Sequence, residues 1–416
     1  MSSSSPVAAP VGTSVESRPP SAVEPWVARR ISVIWVLLFF NGMPPIGHPI
    51  IPLPHSVLQA FPAAALVLAG VLALSLNRRM LVRPNLILGL STLLWATALM
   101  ASVRGGSGFG ALLRCGRMAA FLATLWLLTP WWGRRDMLLL RCHLRALLIV
   151  LGSVLAGLLV APSLALNGLD SNRLSGILWP IPSPQVAQYA AVASGAALVL
   201  WLSGAMSRKH AFLVAVVGLT MVGLSHTRTA LVAMGAGLLL APLSLILARR
   251  RVRRVFTIAL VVAPLVLFVA APAAAIWFQR GQTSSQISNL TGRKAAWASV
   301  LNLPRSEFDR WFGFGLSDKS ANGHPIDNTW LAVYQDEGII GDIIVGTMML
   351  FLLIAPNFRR PGPERAVALF LVVYVAVASY AEVTLGDATP YLLHLVVAAS
   401  LIIPGARSRK PLPDLV

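Results

Sequence analysis

The side chains of this chain that could do chemistry concentrate in one polar stretch, from Trp277 to Gly341. It holds Thr291-Gly292-Arg293, Trp311-Phe312-Gly313-Phe314-Gly315, His324, Asp327-Asn328-Thr329-Trp330-Leu331 and Glu337-Gly338-Ile339-Ile340-Gly341. Arginines bind oxyanions, a histidine or a carboxylate takes a proton, and aromatic rings stack on sugars or anchor at a membrane surface. These capacities lie within one short segment.

Two turns elsewhere carry matching residues. Arg173-Leu174-Ser175-Gly176-Ile177 precedes the apolar run that opens at Pro184, and Ser225-His226-Thr227-Arg228-Thr229-Ala230 joins two apolar runs. The second turn is too short to leave a bilayer surface, so Arg228 and His226 belong at the mouth of a helical bundle. Arg114 and Arg117 fall five and eight residues into the fourth apolar run. On a helix they lie roughly 8–12 Å deep, one turn apart on one face. An arginine near a helix centre in lipid costs about 2.5–3.5 kcal/mol, so the two either snorkel, pair with a carboxylate or hold an anion. Asp342, Glu382 and Asp387 are too few to neutralise Arg114, Arg117, Arg173, Arg228 and Arg293. A phosphate-rich anion matches the guanidinium fork.

Membrane helices must position these groups. The 416 residues are 56% hydrophobic and 12% charged, with a mean hydropathy of +0.73, which excludes a soluble domain. Apolar runs near 29–45, 56–76, 85–102, 109–129, 143–161, 184–203, 210–225, 229–248, 255–275, 337–355, 365–382 and 389–404 predict an all-α polytopic membrane protein. It would have about 12 transmembrane helices and one large extracytoplasmic loop. The expected order is a disordered cytoplasmic tail over 1–28, helices 1–9 over 29–275, a catalytic loop over 276–336, helices 10–12 over 337–404 and a second tail over 405–416. The first run ends in the proline-rich Pro44–Pro54 stretch, which suits an irregular end.

The net charge of +19 is read by position rather than as a nucleic-acid footprint. With the N-terminus inside, 23 of the 34 cations fall on inner segments, which fits the positive-inside rule with both termini cytoplasmic. Cys115 and Cys142 lie on different helices and read as buried filler.

Taken together, Arg-Leu-Ser-Gly before a proline-led helix, Ser-His-Thr-Arg-Thr-Ala between helices, and a loop with Thr-Gly-Arg, Trp-Phe-Gly-Phe-Gly and Asp-Asn-Thr-Trp-Leu followed by Glu-Gly-Ile-Ile-Gly resemble the O-antigen ligase and O-antigen polymerase superfamily over roughly 170–345. The resemblance implies a metal-independent membrane glycosyltransferase without a cofactor, in a bacterial cytoplasmic membrane. Its partners would be a polyprenyl-diphosphate-linked glycan donor, a glycan, lipid or protein acceptor, and membrane lipid. It does not separate ligase from polymerase.

Charge builds on the leaving diphosphate when a glycosyl–diphosphate bond breaks, and fixed cations stabilise it. Arg228 and Arg293, then Arg173, Arg117 and Arg114, are the diphosphate candidates. The acceptor hydroxyl needs a base. Many superfamily members carry a His-Asn pair ahead of the Gly-Ile-Ile-Gly-like helix start, whereas this chain has Asp327-Asn328, so Asp327 or His324 takes the role. Glu307-Phe308-Asp309 reads as a solvated charge cluster, and Glu337 as a charge at a helix N-terminus. The competing class is a secondary transporter or lipid-linked glycan flippase. That class would more naturally show related halves and polar groups at mid-membrane.

Overall fold

Polar punctuation in the sequence supplies helix caps, and the helices start there. Asn85 accepts from the Ile87 and Leu88 amides to open one helix, and Ser207, Asn328 and Thr389 each accept a backbone N–H at the head of another. The computed structural model describes residues 24–43, 54–105, 108–134, 136–167, 172–246, 248–279, 293–321 and 323–403. The helices are α1 (Pro25–Asn41), α2 (His55–Leu76), α3 (Leu86–Arg104), α4 (Gly108–Leu127), α5 (Leu138–Val160), α6 (Pro162–Asn167), α7 (Ser183–Leu202), α8 (Arg208–Ser225), α9 (Arg228–Leu243), α10 (Arg250–Gln279), α11 (Arg293–Asn302), α12 (Glu307–Phe312), α13 (Thr329–Ile354), α14 (Pro363–Ala378) and α15 (Pro390–Ile402).

Among the described residues, seven helices are long and apolar enough to cross a membrane: α2, α3, α4, α5, α7, α8 and α13. They answer to seven of the twelve expected runs. The other five runs form α1, α9, α14 and α15, of 13 to 17 residues, and α10, which carries Pro264 and Pro272 within it. Large apolar side chains face outward around the bundle, including Val67, Leu113, Ile149, Phe212 and Leu260. Such a belt suits a lipid-facing surface, and the protein is membrane-embedded by its helices.

Three helices lie deepest. Nearly every side chain of α15 is buried, as are most of those of α7 and α14. Phe370 of α14 fills notches left by Gly195 on α7 and Gly237 on α9, where a Cβ on Gly237 would stand 2.7 Å from the ring. Small residues thus let α14 approach both neighbours closely. Cys115 and Cys142 are free and buried, as filler should be.

Several expected boundaries move. The tail expected through residue 28 is helical from Pro25, where a proline suits the first turn. The helix expected from 337 starts about two turns earlier, at Thr329, because Asn328 caps it. Glu337 therefore lies inside α13, beside Gly338, whose φ of 66° kinks the helix. Glu307 and Asp309 open α12, where Ser306 and Asp309 form a capping box.

The described part of the polar loop has its own framework. Strand β1 (Ser320–Ala321) pairs antiparallel with β2 (His324–Pro325), with Ser320 opposite Pro325. Val300, Ile326 and Ala332 form a small core beneath it, with Trp297 and Tyr334 packed against them. Residues 1–23, most of the proline-rich stretch (44–53, with His48), Arg280, Thr291-Gly292 and the tail beyond 403 lie outside the described residues.

Candidate functional site

Three of the five predicted arginines converge at one end of the bundle. Arg173 donates through Nε to the Ser225 carbonyl at 2.9 Å and through a terminal nitrogen to Thr227 Oγ1 at 3.2 Å, which ties it to the turn that carries Arg228. Arg228 opens α9 and lies close enough to Arg293, the first residue of α11, for the two guanidinium groups to repel. Arg293 is held from the other side by Asp327, whose Oδ2 accepts from Nε and a terminal nitrogen at 3.0 Å each. Like charges brought together in this way are costly unless an anion joins them.

The Asp327-Asn328-Thr329 motif sets a second acid beside these cations. Asp327 grips Arg293, and the Asn328 side chain caps α13 while donating to the Tyr380 carbonyl at 3.0 Å. Thr329 Oγ1 donates to the Glu382 carbonyl at 2.7 Å, and its amide donates to the Ser379 carbonyl at 2.9 Å. These bonds fasten the turn between α14 and α15, where Glu382 lies. Glu382 keeps some accessible surface but is ringed by protein. Burial first, then Asp327, pushes its carboxyl up to about 7 against the opposing pull of Arg293 and Arg173. The sequence motif marks Asp327 or His324 as the base. Glu382 entered the sequence reading only as a possible counter-charge, and no spacing linked it to Asp327.

An open groove of about 420 Å³ runs from Arg228 between α9 and α14, lined by Thr229, Val232, Ala376 and Val377, with Tyr380 and Ala381 at its end. Its walls are chiefly apolar. One groove thus combines a cationic end with an apolar length.

The glycine motifs build the support for this end. Phe314 and Gly315 donate their amides to the Gln335 and Asp336 carbonyls at 2.9 Å each, so the Trp311–Gly315 segment lies flat on the kink of α13. A Cβ on Gly338 would sit 2.5 Å from the Trp311 carbonyl, and Gly313 and Gly315 also take positive φ. Arg305 is stacked between Phe314 and Tyr334, with its guanidinium carbon 4.7 and 4.2 Å from the ring centres. Lys319 forms an ion pair with buried Asp336. Burial alone would lower the Lys319 ammonium, but Asp336, Glu337 and Asp387 outweigh it and hold the group above its ordinary value. The glycines and cations of the loop thus lock it to α13.

The remaining candidates lie apart from the three arginines. Arg117 grips the end of α1, donating through Nε to Asn41 Oδ1 at 2.8 Å and through a terminal nitrogen to the Asn41 carbonyl. Arg114 donates to the Ser317 carbonyl. Both bond to protein oxygens, of Asn41 and Ser317. His324 is exposed on β2, and among the described residues no hydrogen bond or ion pair joins it to the arginines. His226 stacks on Trp277 with ring centres 5.7 Å apart, and the Trp277 indole donates to the Gly223 carbonyl at 3.1 Å.

No protein-family model matches the chain, and a search of curated proteins finds no match.

Proposed function

We propose that the protein is a membrane glycan ligase or polymerase that moves a saccharide from a polyprenyl-diphosphate carrier to an acceptor hydroxyl on the outer face of a bacterial cytoplasmic membrane. The observation that carries this reading is the meeting of Arg173, Arg228 and Arg293, of which Arg228 heads an apolar groove. A polyprenyl diphosphate has the same polarity, with two phosphates on an apolar chain. The remaining apolar helices complete about twelve spans in this reading, with the cationic end outside.

The reaction would begin with an acceptor hydroxyl beside Glu382, a carboxyl poised near neutral pH and therefore suited to take a proton. The hydroxyl oxygen bonds to the anomeric carbon as the bond from that carbon to the diphosphate oxygen breaks. The electron pair stays on the diphosphate, and the three guanidinium groups stabilise it. Asp327 has the different task of orienting Arg293, and its second oxygen leaves it a rival base. His324 could serve only from its exposed strand.

The test uses purified protein in nanodiscs with a polyprenyl-diphosphate glycan and an acceptor pool, following release of the carrier diphosphate. Release that Arg228→Ala, Arg293→Ala and Glu382→Gln each abolish supports the reading, and retention of release in Glu382→Gln but not Asp327→Asn or His324→Ala reassigns the base. Intact donor that instead crosses a liposome bilayer replaces the transferase with the flippase.

A further inference from the structure

A second cationic cavity lies at the opposite end of the bundle and takes no part in the proposed reaction. Helix α8 runs 18 residues from Arg208 to Ser225, about 27 Å, so Arg208 is a membrane's width from the turn that holds Arg228. There, Trp201, Arg208, Arg250, Arg251, Arg254 and Val255 line an open cavity of about 390 Å³. That volume falls in the range of roughly 300–1,000 Å³ typical of small-ligand sites.

Among the described residues, no carboxylate lines the cavity. Arg251 is braced on Trp201, donating to its carbonyl at 2.8 Å with the guanidinium 5.7 Å from the ring centre. Arg250 and Arg254 follow one turn apart on α10. Among the described residues, Arg208, Arg250 and Arg254 have no ion pair and no side-chain hydrogen bond. Three unpartnered guanidinium groups thus face one space, and a fourth is fixed beside it.

The surroundings point to an amphipathic occupant. Within about a turn of Arg208 come Phe212 and Leu213, which are 67% and 63% exposed, and beyond Arg254 come Ile258 and Leu260 at 55% and 78%. Phosphate oxygens at the guanidinium forks would leave acyl chains lying along this apolar belt.

We propose that this cavity binds the phosphodiester headgroup of an anionic phospholipid in the leaflet opposite the candidate active site.

The full-length protein is purified in detergent and titrated with dioleoyl-phosphatidylglycerol, with dioleoyl-phosphatidylcholine, and with inorganic diphosphate, and retained lipid is counted by native mass spectrometry. Phosphatidylglycerol should be retained at least tenfold over phosphatidylcholine. Arg250→Gln/Arg254→Gln should weaken that retention about 30-fold, at roughly one lipid-surface charge interaction for each arginine lost. Arg249→Gln/Arg253→Gln removes the same charge from the same segment outside the cavity and should change retention less than threefold. Equal loss in both double variants, or equal retention of the two lipids, would mean only diffuse positive charge and overturns the proposal. Diphosphate that binds alone and displaces phosphatidylglycerol would make this a soluble-phosphate site and overturns the lipid assignment. All the exchanged side chains are exposed, so matched unfolding midpoints separate binding from folding.

Discussion

Arg293 and Asp327 meet across 34 residues of sequence, with Asp327 Oδ2 3.0 Å from both Nε and a terminal nitrogen of Arg293. Both side chains keep about a third of their surface, 29% and 31%. Solvent screening limits what such a pair adds to stability, to less than about 1 kcal/mol. Its larger role is to aim a guanidinium that Arg228 repels.

Arg293→Ala should therefore shift the unfolding midpoint little while lowering donor turnover by about 10²-fold or more, the usual loss for one preorganised charge. Asp327→Asn keeps a hydrogen-bond acceptor for Arg293 and should cost less. Thermal unfolding and carrier-diphosphate release, measured on the same preparations, check both. A large loss of stability in Arg293→Ala with unchanged turnover per folded molecule would make the pair structural.

Glu382 predicts a pH profile. A base must be ionised to accept a proton, and its carboxyl is raised to about 7, so kcat/KM should climb as pH rises through about 7 and level off above it. Stability should move the other way. A carboxyl raised in the folded state contributes stability that is fully present below its unfolded value and is lost as pH rises through about 7. Glu382→Gln should flatten both profiles, and a pH–rate series beside a pH–unfolding series reads them out.

Gly338→Ala should loosen the loop from α13. Its φ is +66°, and a Cβ would stand 2.5 Å from the Trp311 carbonyl, so both backbone strain and collision oppose it. A cost of about 1–3 kcal/mol follows for the strain alone. Gly346→Ala is the control, since its Cβ would meet only one Trp330 ring atom at 3.9 Å. Limited proteolysis within 293–321 should accelerate in the first variant and stay unchanged in the second.

A buried histidine pair has its proton positions fixed by one neighbour. The Trp35 indole can only donate, and it lies 2.9 Å from His143 Nδ1, which must accept. His143 Nε2 then carries the proton and donates across 2.8 Å to His394 Nδ1, so His394 also carries its proton on Nε2, and the Gln188 side-chain amide 3.0 Å away must present its oxygen rather than its NH2 to accept it. Nitrogen-15 NMR of labelled protein should find both rings neutral with the proton on Nε2. Trp35→Phe leaves His143 Nδ1 without its donor and should destabilise by about 1–3 kcal/mol.

Much of this architecture is legible in the chain itself. Long apolar runs and polar punctuation specify helices and a membrane solvent, because a backbone in lipid must satisfy its own hydrogen bonds. The brevity of Ser225–Thr229 places Arg228 at a bundle mouth, since five residues cannot extend far from it. The motifs that hold Gly313, Gly315 and Gly338 stand out in the sequence, but that these glycines join loop to helix is seen only in the fold.

Tertiary structure alone decided the rest. Arg173, Arg228 and Arg293 come from three segments, and only the packing of those segments separates them from Arg114 and Arg117, which bond to Ser317 and Asn41 instead. Glu382 reaches the site because Thr329 binds its carbonyl from 53 residues away. Helix α14 packs tightly against α7 and α9 because Gly195 and Gly237 admit Phe370, a complementarity of shape that no single segment encodes. Local pattern fixes which residues form helices and which lie at their ends. The choice of partners among those ends depends on long-range packing, and the chemistry of this site depends on that choice.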